Sequence, residues 1–531
     1  MLLAAASGVA LALSFPNYNL SILSWFAVTM LVLAAYHART AMALLAGFVQ
    51  GVLFYVIGVP WIDTVMRQYG NVGALTAAGL LGLLAVAGGI IVAFFTWAVA
   101  LASRRSTVLA CVLAPFLWVT LEFARSHLPI IAFPWNLAGY AASGNLAFVQ
   151  LTTVTGIYGL SFVIVGYGSL LAYAILIGRR APHAPVRHGP PYGSTSKRSQ
   201  RAWQRAFTAS LILIVVGVVG RYLVPREEPD HTAHLVQTNF PQSEEYPADW
   251  GVIHAGELDE LERISVDAAI TTPGIIVWPE VPAPFSLQDS AFAARARRIA
   301  ADSAADFLVG VVDWKQGMGG KWEASNSAVL LSPSGRRLFT YDKIRLVPFG
   351  EYVPLRRWLT FAGKLTADIG DFTPGAEYSV GQLPDGTFAV FICYEAVFPD
   401  EVRQFTLNGA ELLINVSNDG WFGRSGAPSQ HLMMARVRAV ENRRWLLRDT
   451  NNGYTVSVDP YGRIAAELAP DIRGQLDAPY AFRDDLTFYA IHGDWFAWLC
   501  VIVSVVLLAI AILGRNRGDS PGPRASKAPV P

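Results

Sequence analysis

The sequence predicts a multispanning α-helical membrane domain of about eight helices joined to an α/β domain, and three observations carry that expectation. Composition is the first: of 531 residues, 53% are hydrophobic and only 15% charged, against about 25% charged in ordinary soluble domains. The mean hydropathy is +0.37. The second is the placing of the apolar residues, which gather in seven segments before residue 220 and one near the end. The third is the polar stretch between the last two segments, where short β-forming runs alternate with amphipathic helical patterns, as in a covered sheet. A formal net charge of +1 gives no reason to expect nucleic acid.

The eight apolar segments are 2–15, 22–36, 41–60, 72–101, 107–123, 156–177, 207–219 and 495–513. A spanning helix needs roughly 20 apolar residues. The third, fourth, sixth and last segments meet that length comfortably, while the first two and the seventh are short. The first lacks a basic n-region and a small-residue cleavage site, so it does not read as a removed signal peptide. The first two count as a pair, so orientation is the same if they form only a helical hairpin.

Lysine and arginine in the short loops set that orientation. Arg39, Arg104, Arg105, the set Arg179, Arg180, Arg187, Lys197, Arg198, Arg201 and Arg205, and the tail residues Arg515, Arg517, Arg524 and Lys527 all fall on one side. Arg67 and Arg125 are the exceptions on the other. Both termini are therefore expected in the cytoplasm. The expected division is a transmembrane domain at 1–220 with a basic cytoplasmic loop at 179–206, an extracytoplasmic domain at 221–493, a transmembrane helix at 494–514 and a disordered cytoplasmic tail at 515–531. The Pro- and Gly-rich stretch 181–196 reads as a flexible loop. Within the membrane half, Glu122 and Arg125 lie three apart, ahead of Phe133-Pro134-Trp135-Asn136. Ionisable residues at a bilayer are functional candidates, and an interfacial ion pair is the structural alternative.

In the polar half, strands are expected at 234–238, 274–278, 307–312, 327–331, 387–392, 411–416 and 455–458, and helices at 256–269, 290–304, 400–408 and 429–448. This length is ample for one α/β core. Three polar residues stand at or just after strand ends. Cys393 closes the apolar run 388–392, Glu280 closes the run 275–278 through Pro279, and Lys343 follows Tyr341-Asp342. The chain has three cysteines, and the other two, Cys111 and Cys500, sit in apolar segments. Their wide scatter argues against a disulfide framework, a zinc site or a redox pair. A thiol at a strand end is well placed as a nucleophile. A carboxylate such as Glu280 can take its proton. An ammonium such as that of Lys343 can favour the thiolate and stabilise an oxyanion, helped by a backbone N–H such as that of Tyr394. Glu351 can orient Lys343. Singly, each residue has an ordinary structural reading, since buried inert cysteines and solvated charges are common.

The combination is more specific. Trp-Pro-Glu280, Tyr-Asp-Lys343 followed by Leu-Val-Pro-Phe-Gly-Glu351, and Cys393-Tyr394-Glu395 together resemble the Glu-Lys-Cys signature of the nitrilase (carbon–nitrogen hydrolase) superfamily. A domain of that kind inserted before the last span resembles the bacterial apolipoprotein N-acyltransferase family. Val236-Gln237-Thr238-Asn239-Phe240-Pro241-Gln242, Asn415-Val416-Ser417-Asn418-Asp419-Gly420-Trp421-Phe422-Gly423, Gln430-His431 and Gly156-Ile157-Tyr158-Gly159 extend the likeness over nearly the whole chain. The resemblance implies an α-β-β-α sandwich, with Cys393 as nucleophile, Glu280 as general base, Lys343 as oxyanion stabiliser and Glu351 as its support. It also implies that Tyr394 and Glu395 line the pocket and that Trp421 belongs to a covering loop. Tyr246 stands where relatives often carry tryptophan, which implies altered acyl-chain or lipid contacts.

The implied reaction moves an acyl chain from a membrane phospholipid, through a cysteine thioester, to the α-amino group of a diacylglyceryl apolipoprotein. The implied setting is the inner membrane, with the catalytic domain facing the periplasm. No metal or dissociable cofactor is required, and no motif for one occurs. A membrane-tethered amidase that delivers the acyl group to water is the alternative with the same three residues. A transporter or receptor carrying an inactive domain is a third reading, opposed by the intact Glu280, Lys343 and Cys393.

Overall fold

The structure is a computed structural model that describes residues 1–68, 73–128, 132–179, 194–243, 246–247, 249–317, 320–348, 350–352 and 372–513. Most of the expected loop 181–196 and all of the expected tail 515–531 lie outside the described residues.

Among the described residues, six helices are long and apolar enough to cross a bilayer: Thr40–Gly58, Ala74–Ser103, Thr107–His127, Ile157–Arg179, Lys197–Leu223 and Trp495–Leu513. The first two apolar segments form shorter helices, Leu2–Leu13 and Ser24–Ala35, of 12 residues each. At 1.5 Å per residue each reaches only about 18 Å. They pack as a hairpin against Thr40–Gly58 and Ile157–Arg179. The expectation of about eight helices thus resolves into six long ones and a short hairpin. The seventh segment is longer than its apolar run: the helix continues back through Lys197, Arg198, Arg201 and Arg205. Ala202 and Ala206, four apart, pack on Ala174 and give that polar turn a buried side.

The α/β part is built on two six-stranded sheets. One runs β12-β1-β2-β3-β4-β5, with β1 His231–Gln237, β2 Ile276–Val277, β3 Phe307–Gln316, β4 Trp322–Leu331, β5 Arg337–Asp342 and β12 Gly474–Tyr480. The other runs β11-β10-β9-β8-β7-β6, with β6 Gly381–Leu383, β7 Gly386–Ile392, β8 Leu412–Ser417, β9 Trp445–Thr450, β10 Thr455–Val458 and β11 Ile464–Leu468. In each sheet the inner strands are parallel (β1-β2-β3 and β7-β8-β9) and the outer ones antiparallel. The two sheets meet face to face through Leu235, Leu308, Ala328 and Leu330 from one and Phe388, Val390, Ile414 and Leu447 from the other. Helices Ala255–Thr271 and Ser290–Ser303 cover the first sheet through Leu261, Ala296 and Ile299. Helices Pro399–Leu407 and Ala427–Asn442 cover the second through Val402, Phe405, Ala435 and Ala439. The expected α-β-β-α sandwich is present.

The expected helix 429–448 is in fact a helix and a strand. Arg443 takes a left-handed φ of 54° and ends the helix, and Trp445 begins β9. The helix Ala427–Asn442 is apolar on two sides. Leu432, Ala435 and Ala439 face the sheet, while Ala427, Met434, Val437 and Val440 join the core of the membrane bundle. A helix apolar on opposite sides must be covered on both.

Polar side chains on this helix lock the two halves together. Gln430 accepts from the indole N–H groups of Trp61 (3.2 Å) and Trp135 (2.6 Å) and donates to the carbonyls of Pro16 (2.5 Å) and Gly58 (3.0 Å). Glu441 accepts from the backbone N–H of Ile157 (2.9 Å), the first residue of a spanning helix, where the helix dipole favours an anion. Arg438 donates to the Tyr140 hydroxyl (2.9 Å) and pairs with Glu441 (3.0 Å). Replacing Gln430 with leucine strands two indole donors and two carbonyls away from water. We expect a loss on the order of 3 kcal/mol, read as an earlier thermal transition of tryptophan fluorescence in detergent.

Glu122 and Arg125 do not form the interfacial ion pair that spacing allowed. Glu122 accepts from Trp118 Nε1 (2.9 Å) and the Ala138 N–H (2.7 Å), so it anchors the loop that carries Trp135. Arg125 instead donates to the Tyr55 hydroxyl.

Candidate active site

The C-terminal ends of β2 and β7 and the segment after β5 converge on one buried site. Proximity there follows from the topology, since parallel strands at the centre of each sheet end at the same edge. Glu280 is the third residue after β2, Lys343 follows β5 directly, and Cys393 follows β7 directly. Glu280 is 4% exposed, Lys343 1% and Cys393 7%.

Lys343 Nζ donates to Glu280 Oε1 and to Glu351 Oε1, both at 2.9 Å. Asn326, on β4, donates its amide protons to the same two oxygens, at 2.8 Å and 2.7 Å. The second oxygen of Glu280 accepts from the backbone N–H of Asn418 (2.8 Å), and the second oxygen of Glu351 from that of Val347 (2.8 Å). Both carboxylates are therefore held by donors on each oxygen. Burial alone would pull the Lys343 ammonium down, but the carboxylates of Glu280 and Glu351 hold it well above the usual lysine range. The Cys393 thiol is pushed up by burial and then by Glu280, with Lys343 acting in the opposite direction. The thiol thus rests protonated, beside a carboxylate and an ammonium.

Cys393 has a φ of 49°, in the left-handed region, which costs a non-glycine residue about 1–2 kcal/mol. The backbone on either side is pinned. Ile392 N–H donates to Glu395 Oε2 (2.6 Å), and the Cys393 carbonyl accepts from His431 Nε2 (2.9 Å).

Glu395 was expected beside the thiol at the pocket wall, and the structure turns it inward. Its other oxygen accepts from the backbone N–H groups of Ile344 (2.7 Å) and Arg345 (3.1 Å) and from the Tyr341 hydroxyl (2.8 Å). It ties the Lys343 segment to the Cys393 turn. Burial pushes its pKa up to about 7 against those donors. Tyr394 reaches the other way: its hydroxyl donates to the carbonyl of Ala132 (3.4 Å) in the membrane half, and its ring packs on Phe398. Trp421 stands partly exposed on the turn Asp419–Phe422, next to Phe422, which packs on Trp61 and Trp135. Tyr246 packs edge-on against Trp250 at 6.2 Å, in the outer helical layer. Phe349, part of the Pro-Phe-Gly-Glu motif, lies outside the described residues.

The structure adds residues that spacing did not single out. Asn326 bridges two carboxylates, and its sequence signal is the polar run Ser325-Asn326-Ser327 ahead of the apolar end Ala328–Leu331 of its strand. Asp419, His431 and Arg448 form a fully buried cluster behind Cys393. Arg448 donates to both oxygens of Asp419 (3.0 and 2.8 Å), and Ser417 donates to Oδ1 (2.9 Å). Burial opposes the Asp419 charge, but Arg448 and His431 hold its carboxyl well below the usual range. Burial and the Arg448 charge lower His431, so its imidazole is neutral.

A thiol, a carboxylate and an ammonium thus meet away from solvent, a set of groups whose chemistry suits covalent acyl transfer. Sequence comparison agrees. The apolipoprotein N-acyltransferase N-terminal domain matches residues 7–170, and the carbon–nitrogen hydrolase domain matches residues 256–479. An apolipoprotein N-acyltransferase of Geobacter metallireducens is 35% identical over 516 residues, covering 96% of this chain and 95% of its own. One of Azotobacter vinelandii is 32% identical over 536 residues, covering 98% and 96%. Among solved structures, an amidase from Nesterenkonia sp. aligns with 52% of this chain and 97% of its own, at a TM-score of 0.37 and 21% identity. The two acyltransferase relatives are more than 30% identical over 96% and 98% of this chain, and so the chain belongs to the apolipoprotein N-acyltransferase family.

Proposed function

We propose that this acyltransferase moves an acyl chain from a membrane phospholipid to the α-amino group of the diacylglyceryl-cysteine of an apolipoprotein, through a thioester on Cys393. The observation that carries the reading is the meeting of Cys393, Lys343 and Glu280 at a buried site, next to Tyr394, whose hydroxyl reaches the Ala132 carbonyl of the membrane half. Glu280 takes the thiol proton as the sulfur attacks the ester carbonyl. Two Lys343 protons are committed to Glu280 and Glu351, and the third, with the Tyr394 backbone N–H, faces the developing oxyanion. Collapse of the tetrahedral adduct breaks the ester C–O bond. The lysophospholipid alkoxide leaves with the proton held by Glu280. The acceptor amine then attacks the thioester, Glu280 takes its proton, and the C–S bond breaks to restore the thiol.

Residues 221–493 form the catalytic unit in this reading, outside the cytoplasm and facing the periplasm. Residues 1–220 and 494–514 hold it at the bilayer, with both termini and the basic loop 179–206 cytoplasmic. The asymmetry of Lys and Arg supports this orientation. Both substrates are lipids of one leaflet, so a pocket at the bundle surface receives them laterally.

Intact mass of the purified protein after exposure to phospholipid vesicles tests the proposal. Wild type should gain one acyl chain, Cys393→Ala should gain none, and a diacylated lipopeptide should remove the adduct. An adduct that only water removes would convert the assignment to a hydrolase. Equal adducts on wild type and Cys393→Ala would overturn the nucleophile.

A further inference from the structure

We infer that His431 is a positioning residue for the nucleophile, holding the Cys393 backbone in register with the aromatic cluster of the membrane half; this rests on Cys393 being the nucleophile. His431 is fully buried. Its Nε2 lies 2.9 Å from the Cys393 carbonyl oxygen, and a carbonyl only accepts, so Nε2 carries the hydrogen. Its Nδ1 lies 3.1 Å from Arg448 Nη2, which only donates, and 3.1 Å from Asp419 Oδ1, which only accepts, so the Arg448–Asp419 pair fixes this side of the ring. Arg448 is itself fixed by the two Asp419 oxygens and by Asn415 Oδ1, and Asn415 donates to the Phe391 carbonyl (2.9 Å) on β7. The ring is thereby referenced to the strand that delivers the thiol.

The same ring faces the membrane half. Its centroid is 5.8 Å from that of Trp135 and 6.0 Å from that of Phe422. Those two join Trp61, whose ring lies tilted against Trp135 at 4.9 Å. The neighbouring Gln430 holds both indoles. One imidazole thus spans the gap between the carbonyl of a residue in left-handed backbone and the Trp135 indole that the bundle presents. The conformation of Cys393 is completed only while Trp135 sits against His431. Positioning of the thiol is coupled in this way to docking of the sandwich on the membrane bundle.

His431→Gln and His431→Asn separate this role from simple packing. The glutamine amide reaches where Nε2 stands and can donate to the Cys393 carbonyl; the asparagine amide is one bond shorter and cannot. Acyl-adduct formation and alkylation of Cys393 by a small maleimide are followed in each full-length variant, alongside thermal unfolding. We expect about a 100-fold slower adduct for His431→Asn and recovery to within about tenfold for His431→Gln, with alkylation slowed in parallel. Wild-type rates in His431→Asn would overturn the inference, as would equal impairment of both variants. Loss of folded protein in both would assign His431 to stability and overturn it too. Failure of wild type itself to form an adduct strikes the nucleophile reading instead, a result none of these arms can mimic.

Discussion

A Glu280→Gln variant is expected to fold and to transfer acyl chains about 10³-fold more slowly or worse, the range removed with a general base. Every neighbour of this carboxylate donates: Lys343 Nζ and the Asn326 amide to one oxygen, the Asn418 N–H to the other. An amide of the same shape places its own NH₂ against one of those donors, so one contact becomes donor against donor. It also cannot take the thiol proton. The thiol is held protonated by burial and is the group most dependent on a base. Removing the negative charge of Glu280 favours the thiolate somewhat, yet not enough to replace proton transfer at the moment of attack. The check is single-turnover adduct formation by mass, with thermal unfolding measured in parallel. A destabilisation of about 1–3 kcal/mol is expected from the mismatched donor. Adduct formation at the wild-type rate would assign the base elsewhere.

The second large effect is expected for Lys343→Met, which alters both activity and stability. Lys343 is the cation between two carboxylates that share the Asn326 amide. Its removal leaves Glu280 and Glu351 buried without a counter-charge, and breaking a buried pair from one side costs about 3–5 kcal/mol. The oxyanion loses its charged donor, which in comparable sites costs about 10²–10³ in rate. The two consequences can be separated. A Lys343→Met/Glu351→Gln double variant removes one of the stranded charges and should recover part of the lost stability, while transfer activity stays at the single-variant level. Unfolding midpoints and adduct rates on the same four proteins (wild type, each single variant and the double) read both. Recovery of activity in the double variant would show that Lys343 acts by neutralising Glu351 and not at the oxyanion.

Much of this molecule was written in local patterns. Apolar runs at bilayer length, short alternating strands and amphipathic helices predicted the membrane bundle and the α/β unit, because hydrophobic periodicity depends on near neighbours. Cys393, Glu280, Lys343 and Glu351 were legible because each stands at a strand end with distinctive flanking residues. What only the tertiary structure decided is who meets whom. Asn326 joins two carboxylates from a third strand, and Glu395 turns inward because the donors of Ile344, Arg345 and Tyr341 arrive there from another sheet. Gln430 finds the indole of Trp61 across 369 residues of chain. The helix Ala427–Asn442 buries two sides because a membrane bundle waits on the second. Polar partners of this kind are set by three-dimensional proximity and the need to satisfy every buried donor and acceptor, a requirement that spacing along the chain does not record.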